Sequence, residues 1–279
     1  MTLFGEGLIQ GLQLRVAHPI YTPSIAAADL PRVLAALPDG MRYIVHYGAE
    51  NTGVDFGQCF DELGIYRKHA SEEMTWGRWN RESIDWGIAV AQQLPIVPEH
   101  PLGVAHVGYG QLPAHAQTKG KIIHFLGQYF NQRVIALENV PAMTSLDGGR
   151  NFDFWGFGGT PEDMGDILEN CGLKCLVDFT HLAVTVNQAR GSCFRQHLPL
   201  MGMEETVRRY LDLPHWPICH FSGLPPVDWL VDTHDFTHIS PPSFLRDAIR
   251  TMDTICLEIP WRAETARQQI ETFRKFYGD

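Results

Sequence analysis

The stretch "KCLVDFTH", residues 174–181, carries the decision about the fold. Its apolar part is continuous and β-rich rather than alternating, which suits a short strand covered on both faces, as in a parallel sheet flanked by helices. It leaves that apolar run through Asp178 and His181, two ionisable side chains. Six other runs are equally continuous and β-rich: "LQLRVA" (12–17), "RYIVHYG" (42–48), "LGVAHVGYG" (102–110), "RVIALENV" (133–140), "PICHFSG" (217–223) and "TICLEIP" (254–260).

Amphipathic stretches separate the runs. Helices are expected in "SIAAADLPRVLAAL" (24–37), "RESIDWGIAVAQQL" (81–94), "KGKIIHFLGQYFNQ" (119–132), "TPEDMGDILENCG" (160–172), "MEETVRRYLDL" (203–213), "PPSFLRDAIRTM" (241–252) and "RAETARQQIETFRKFYG" (262–278). In the fourth, Thr160 can cap the first turn, Pro161 suits the first helical position and Gly172 suits the end. Strand and helix in alternation, with no second composition regime, predict an α/β protein: one (β/α) TIM-type barrel domain over 1–279. Its length of 279 residues suits such a barrel, which needs roughly 250.

Seven strands are counted, and an eighth is sought in the glycine-rich start or in 18–41, giving seven or eight parallel strands. An open doubly wound sheet is the competing architecture, but the early "GEG" does not follow a strand as a dinucleotide fingerprint should. Residues 49–100, with Trp76, Trp79 and Trp86, are expected as an inserted loop or lid. "SLDGGRNFDFWGFGG" (145–159) is expected as a second long loop.

Composition narrows the class. Hydrophobic residues at 44% and charged residues at 19% describe a globular chain. No window approaches the roughly 18 apolar residues of a membrane span, and "MTLFGEGLIQG" lacks the regions of a signal peptide, so a cytoplasmic protein is expected. The six cysteines (Cys59, Cys171, Cys175, Cys193, Cys219 and Cys256) form no CxxC pair and read as buried thiols. A net charge of −10 argues against a broad nucleic-acid-binding face. A local one remains open, because bound cations attract phosphate.

The chemistry lies at the strand ends. His46 ends the second run, His106 the third, Glu138 the fourth, Asp178 and His181 the fifth, His220 the sixth and Glu258 the seventh, while "VDTHDFTH" (231–238) follows the sixth and adds Asp232 and His234. Strand C-termini of such a barrel open onto one face, so these residues are expected to converge there. A single strand ending in histidine is weak evidence. Six in succession are not, because buried carboxylates are costly unless paired, and bound cations remove that cost. Five histidines and four carboxylates exceed the needs of one ion and suit two or three divalent ions, with zinc first and iron or manganese as alternatives. Asn139, Asp235 and His238 are expected behind these ligands. His18, His69, His100, His115, His124, His197 and His215 read as surface or packing residues, although His18 could reach the mouth.

Glu138, Asp178, His220 and Glu258 resemble the common metal core of the xylose-isomerase-like TIM-barrel superfamily, over residues 40 to 260 or so. The fuller order of His46, "HVG" from His106, "LEN", "VDFTH", His220, "DTH" and "LEI" is most similar to endonuclease IV, whose centre holds three zinc ions. That resemblance implies cleavage of a phosphodiester, in abasic-site DNA or in a small phosphorylated substrate, by metal-bound hydroxide, with Glu138 and Glu258 as catalytic bridging ligands. It also implies His46 and His106 on one exposed ion, the remaining residues completing the cluster. "HFSG" followed by "DTHD" is similar instead to multinuclear non-heme iron-dependent oxidative enzymes, which modify a cysteine-containing precursor peptide with the help of a recognition protein and usually carry Asn in place of His181. A metal-dependent sugar isomerase or epimerase is a third reading, and a non-catalytic metal-stabilised binding protein a fourth.

Overall fold

A computed structural model describes residues 15–21, 31, 35, 43–46, 81–94, 96, 100–111, 115–144, 152, 154–191, 194, 198–231, 240–257 and 275. The strands among them are β1 (Arg15–Tyr21), β2 (Tyr43–His46), β3 (Gly103–His106), β4 (Tyr109–Gln111), β5 (Ile135–Glu138), β6 (Met143–Thr144), β7 (Phe154–Gly156), β8 (Cys175–Asp178), β9 (His215–Phe221) and β10 (Thr254–Leu257). The helices are α1 (Arg81–Ala91), α2 (His115–Tyr129), α3 (Pro161–Cys171), α4 (Phe179–Arg190), α5 (Met203–Leu211) and α6 (Ser243–Arg250).

Seven of the strands close into a barrel in the order β1-β10-β9-β8-β5-β3-β2, and every pairing in it is parallel. β1 bonds directly to both β2 and β10, so the ring leaves no gap for an eighth strand. This also sets aside the open doubly wound sheet. The first strand runs further than the expected 12–17, and His18 lies level with Tyr43 at the start of β2. It therefore does not stand at the mouth, where Tyr21 is the residue level with His46.

Strand periodicity sorts the side chains into two packing surfaces. Ile44, Val104, Ala136, Leu176, Ile218 and Cys256, one from each of six barrel strands, form a buried cluster inside the barrel, with Trp216 packed against it. Their neighbours Val45, Ala105, Leu137, Val177, Cys219 and Ile255 face outward and join the larger core with Val90, Leu126, Met164, Leu182, Val207 and Leu245 of the helices. Continuous apolar strands are what this double burial requires.

Three expectations need correction. The run 102–110 is two strands, because the chain breaks after His106 and turns through Gly108 at φ 115° before β4. The stretch 145–159 is not all loop: β7 pairs antiparallel with both β4 and β6 in a small sheet beyond the ends of β3 and β5. Gly156 in β7 is obligatory, since a Cβ there would collide with the Pro141 carbonyl oxygen. Finally, α4 was not expected at all. Its residues Phe179 to Ala189 are all buried, so it shows no polar stripe for a periodicity search to find.

Within the segment expected as a lid, Arg81–Ala91 is the helix α1, with Val90 and Ala91 in the core and Trp86 packed against it. Residues 49–80 lie outside the described part, as do the helix expected at 262–278, apart from residue 275, and that at 24–37, apart from residues 31 and 35. α3 is capped as its sequence requires: the Thr160 side chain accepts from the Asp163 N–H, Pro161 opens the first turn, and Gly172 closes the helix at φ 70°. Among the described residues no helix is long and apolar enough to cross a membrane.

Cys171, Cys175, Cys219 and Cys256 are buried thiols outside any disulfide, as the absence of paired spacing suggested, while Cys59 and Cys193 lie outside the described residues. Burial pushes the Cys175 thiol up to about 12 and raises the Cys219 thiol and the Tyr210 phenol as well. These groups stay neutral in the folded chain, whereas in the unfolded chain thiols ionise near 8.5 and phenols near 10. Their contribution to stability is therefore complete below about pH 8.5 and is lost as pH rises toward 12, at up to ~1.4 kcal/mol per pH unit for each group. Urea denaturation should show the midpoint falling steadily above pH 9; a flat profile from pH 8 to 11 would contradict this burial.

Candidate metal centre

One step of two residues above the apolar layer inside the barrel, the chemistry changes abruptly. Val104 is followed by His106, Ala136 by Glu138, Leu176 by Asp178 and Ile218 by His220, all on the inward side of their strands. Ladder register sets these residues side by side: His106 pairs with Glu138, and Asp178 pairs with His220. Glu138, Asp178 and His220 are fully buried, and His181 is 1% exposed.

Glu138 lies at the middle of the group. Its Oε1 is 2.9 Å from His220 Nδ1 and 3.7 Å from His181 Nδ1, while its Oε2 is 3.4 Å from His106 Nε2. Burial raises the Glu138 carboxyl, but the charges of His220 and His106 and their hydrogen bonds outweigh it and hold the group well below the usual carboxylate range. The His106 and His181 rings meet edge to face with centroids 5.4 Å apart.

Two overlapping sets result, His106 with Glu138 and His181, and Glu138 with Asp178 and His220, each with its donor atoms within 4.8 Å of one another. Both contain Glu138. A four-coordinate zinc with bonds of about 2.0–2.2 Å spaces its donors by about 3.4 Å, so small side-chain rotations would bring either set to that spacing. The donors are imidazole nitrogen and carboxylate oxygen without thiolate, a set that suits zinc, iron or manganese. The residues therefore fit divalent cations, with Glu138 common to both sets.

Local structure explains why these side chains are held so well. Asp178 is at once the last residue of β8 and the N-cap of α4, its Oδ1 accepting the His181 N–H at 2.9 Å. A helix N-terminus favours the ionised carboxylate. The Nδ1–H of His181 donates to the Asn139 carbonyl at 2.7 Å, which leaves Nε2 as the lone-pair nitrogen. Thr180, which sequence reasoning passed over, is buried between the ends of β8 and β9. Its hydroxyl donates to the Gly223 carbonyl at 2.8 Å and accepts the Ser222 N–H at 2.9 Å. A threonine at a strand-to-helix junction was the one available signal.

Further along α4, Thr185 accepts the Ala142 N–H, and Gln188 bonds both Met143 and the Leu230 carbonyl. Asn187 donates to the Pro226 and Trp229 carbonyls. The helix thus grips the segments that leave β5 and β9.

The structure brings His106, Glu138, Asp178, His181 and His220 together. His46 is the last residue of β2, and the ladder pairs its backbone with Val104 of β3, two residues before His106. Asp232, His234 and Glu258, with Asp235 and His238, lie outside the described residues. Among the histidines read as bystanders, His100 packs edge-on against Trp216 and bonds Thr254, and His215 bonds the Leu213 carbonyl.

No known family matches the sequence, and no curated protein does. Among solved structures the chain is similar to endonuclease IV from Thermus thermophilus, at 18% identity over 93% of this chain and 88% of that one, with a TM-score of 0.49. It is also similar to a xylose isomerase domain protein from Alicyclobacillus acidocaldarius subsp. acidocaldarius, at 14% identity over 94% and 98% of the two chains, with a TM-score of 0.35.

The Thr180 latch gives a direct test. Thr180→Val keeps the shape but strips the Ser222 N–H of this acceptor, and we expect a stability loss of roughly 1–3 kcal/mol in urea denaturation. A loss indistinguishable from zero would mean that the hydroxyl does not tie β8 to β9.

Proposed function

We propose that this chain is a multinuclear metal-dependent hydrolase that cleaves a phosphodiester, with abasic-site DNA or a small phosphorylated compound as substrate. One observation carries the reading: a single buried carboxylate, Glu138, belongs to both imidazole-containing sets, its Oε1 facing His220 and His181 and its Oε2 facing His106. A lone structural glutamate needs one partner. A carboxylate serving two sides suits a pair of cations a few Å apart, the arrangement that clamps both oxygens of an in-line displacement.

In this reading His46 and His106 hold the outer ion. Asp178 and His220 hold an inner one with Glu138 and Glu258, and His181 with Asp232 and His234 completes a third position. Two or three divalent ions, zinc first, with iron or manganese as alternatives, would supply Lewis acidity and an activated water. The rest falls to the chain. His106 is 18% exposed while Glu138 is sealed, so substrate approaches from the His106 side. The apolar layer headed by Val104, Ala136 and Leu176 closes the barrel below and keeps bulk water from the inner carboxylates.

A second reading rests on "HFSG" at 220–223 followed by "DTHD" at 232–235, the stretch that resembles iron-dependent oxidative enzymes acting on a cysteine-containing peptide. Net charge of −10 sits more easily with a peptide than with a polyanion. Elemental analysis of protein purified without added metal separates the two. Two or three zinc ions per chain with cleavage of abasic DNA support the hydrolase; iron with a visible absorption band and peptide-dependent oxygen consumption replaces it with the oxidase.

For the hydrolase we expect Glu138→Gln to reduce bound metal and to lower turnover at least a hundredfold while near-ultraviolet circular dichroism stays that of the wild type. Full metal content and activity in this variant would remove Glu138 from the centre.

A further inference from the structure

We propose that Asn139 is the positioning residue of the centre, one residue that fixes both the frame of Asp178 and the tautomer of His181. The proposal rests on the metal-centre reading above. Its starting point is a gap in the barrel ladder. β5 and β8 pair through Leu137 with Cys175 and Glu138 with Leu176, and β5 ends at Glu138. Asp178, two residues further along β8, is therefore beyond the reach of β5 main-chain groups, yet it is fully buried and its backbone must be satisfied.

The side chain of Asn139 fills the gap. Its Oδ1 accepts the Asp178 N–H at 2.7 Å and its Nδ2 donates to the Asp178 carbonyl at 3.0 Å. One carboxamide stands where a further peptide unit of β5 would have stood. From the same residue, the main-chain carbonyl takes His181 Nδ1 at 2.7 Å. A carbonyl can only accept, so Nδ1 must carry the hydrogen, and in the neutral ring Nε2 carries the lone pair. Asn139 is itself fully buried, with no solvent to compete for these bonds.

The arrangement explains why asparagine stands here rather than a neighbour in chemistry. Aspartate lacks the Nδ2 donor and would set a second carboxylate against the Asp178 carbonyl oxygen. Alanine or serine leaves the Asp178 N–H and C=O without this partner. In each case the Asp178 main chain moves, and with it the first turn of α4 that carries His181. Asn139 contributes no ligand atom in this account; it sets where two ligand residues point.

The test uses full-length protein labelled with nitrogen-15 at histidine. Long-range proton–nitrogen correlation spectra of the metal-free form report the His181 tautomer, and zinc titration against a competing chelator reports affinity. In the wild type His181 should appear solely as the Nδ1–H tautomer. In Asn139→Ala, Asn139→Ser and Asn139→Asp we expect a mixed or reversed tautomer and zinc binding weakened by about 10- to 100-fold. Leu126→Ala, a truncation in the helix layer, should lower stability without moving either readout. Wild-type tautomer and affinity in Asn139→Ser overturn the proposal even should the alanine variant not fold. If the wild type binds no metal, the centre itself is refuted, and an unaltered His181 tautomer in the asparagine variants still counts separately against this role for Asn139.

Discussion

A buried carboxylate is the constraint around which the rest is arranged. Removing an ionised glutamate from water costs several kcal/mol even after relaxation, and partners must return that energy through charge and hydrogen bonding. Glu138 is fully buried, yet its carboxyl stays well below the usual range because His220 and His106 face its two oxygens. Those imidazoles can reach it only if β3, β5 and β9 stand in the register that the parallel barrel imposes. Closure of the ring, the direction of every strand and the inward parity of each ligand-type residue all serve the same point in space.

The floor beneath matters as much as the ring. Ile44, Val104, Ala136, Leu176, Ile218 and Cys256 fill the barrel immediately below the polar layer. A dry floor lowers the local dielectric, which strengthens each interaction with Glu138 and raises the penalty for any ionised group left unmatched. The same strands thus supply stability at one level and reactive groups two residues higher. That division is written into alternate positions of single short segments such as Leu176 to Asp178.

Much of this could be read from the chain before any coordinates. Continuous apolar runs revealed buried parallel strands, and the polar residue at the end of each pointed to one face of a barrel. That logic reached His106, Glu138, Asp178, His181 and His220. It failed where the signal depends on a contrast between faces. α4 is buried on all sides, so periodicity had nothing to register, and the real markers were its Asp178 cap and its row of Thr185, Asn187 and Gln188. The break after His106 escaped because Val107 continues the apolar run, and only Gly108, at positive φ, betrays the turn. In the small sheet, β4 finds its partner β7 across the whole of α2 and β5, a pairing that no local pattern encodes. Thr180 was overlooked because a lone hydroxyl in an apolar stretch looks the same whether or not it bridges two strands.

The junction at Asp178 has no connecting loop: the residue that ends β8 is the residue that caps α4. In most of a barrel rim, length is free to vary, since a loop absorbs an added residue without disturbing the strand behind it. Here there is no slack. One residue inserted between Asp178 and Phe179 would turn His181 by about 100° around the helix axis and shift it about 1.5 Å along it, carrying the ring away from Glu138. This seam is therefore a fixed point of chain length, and any lengthening or shortening compatible with the centre has to be accommodated in other parts of the rim.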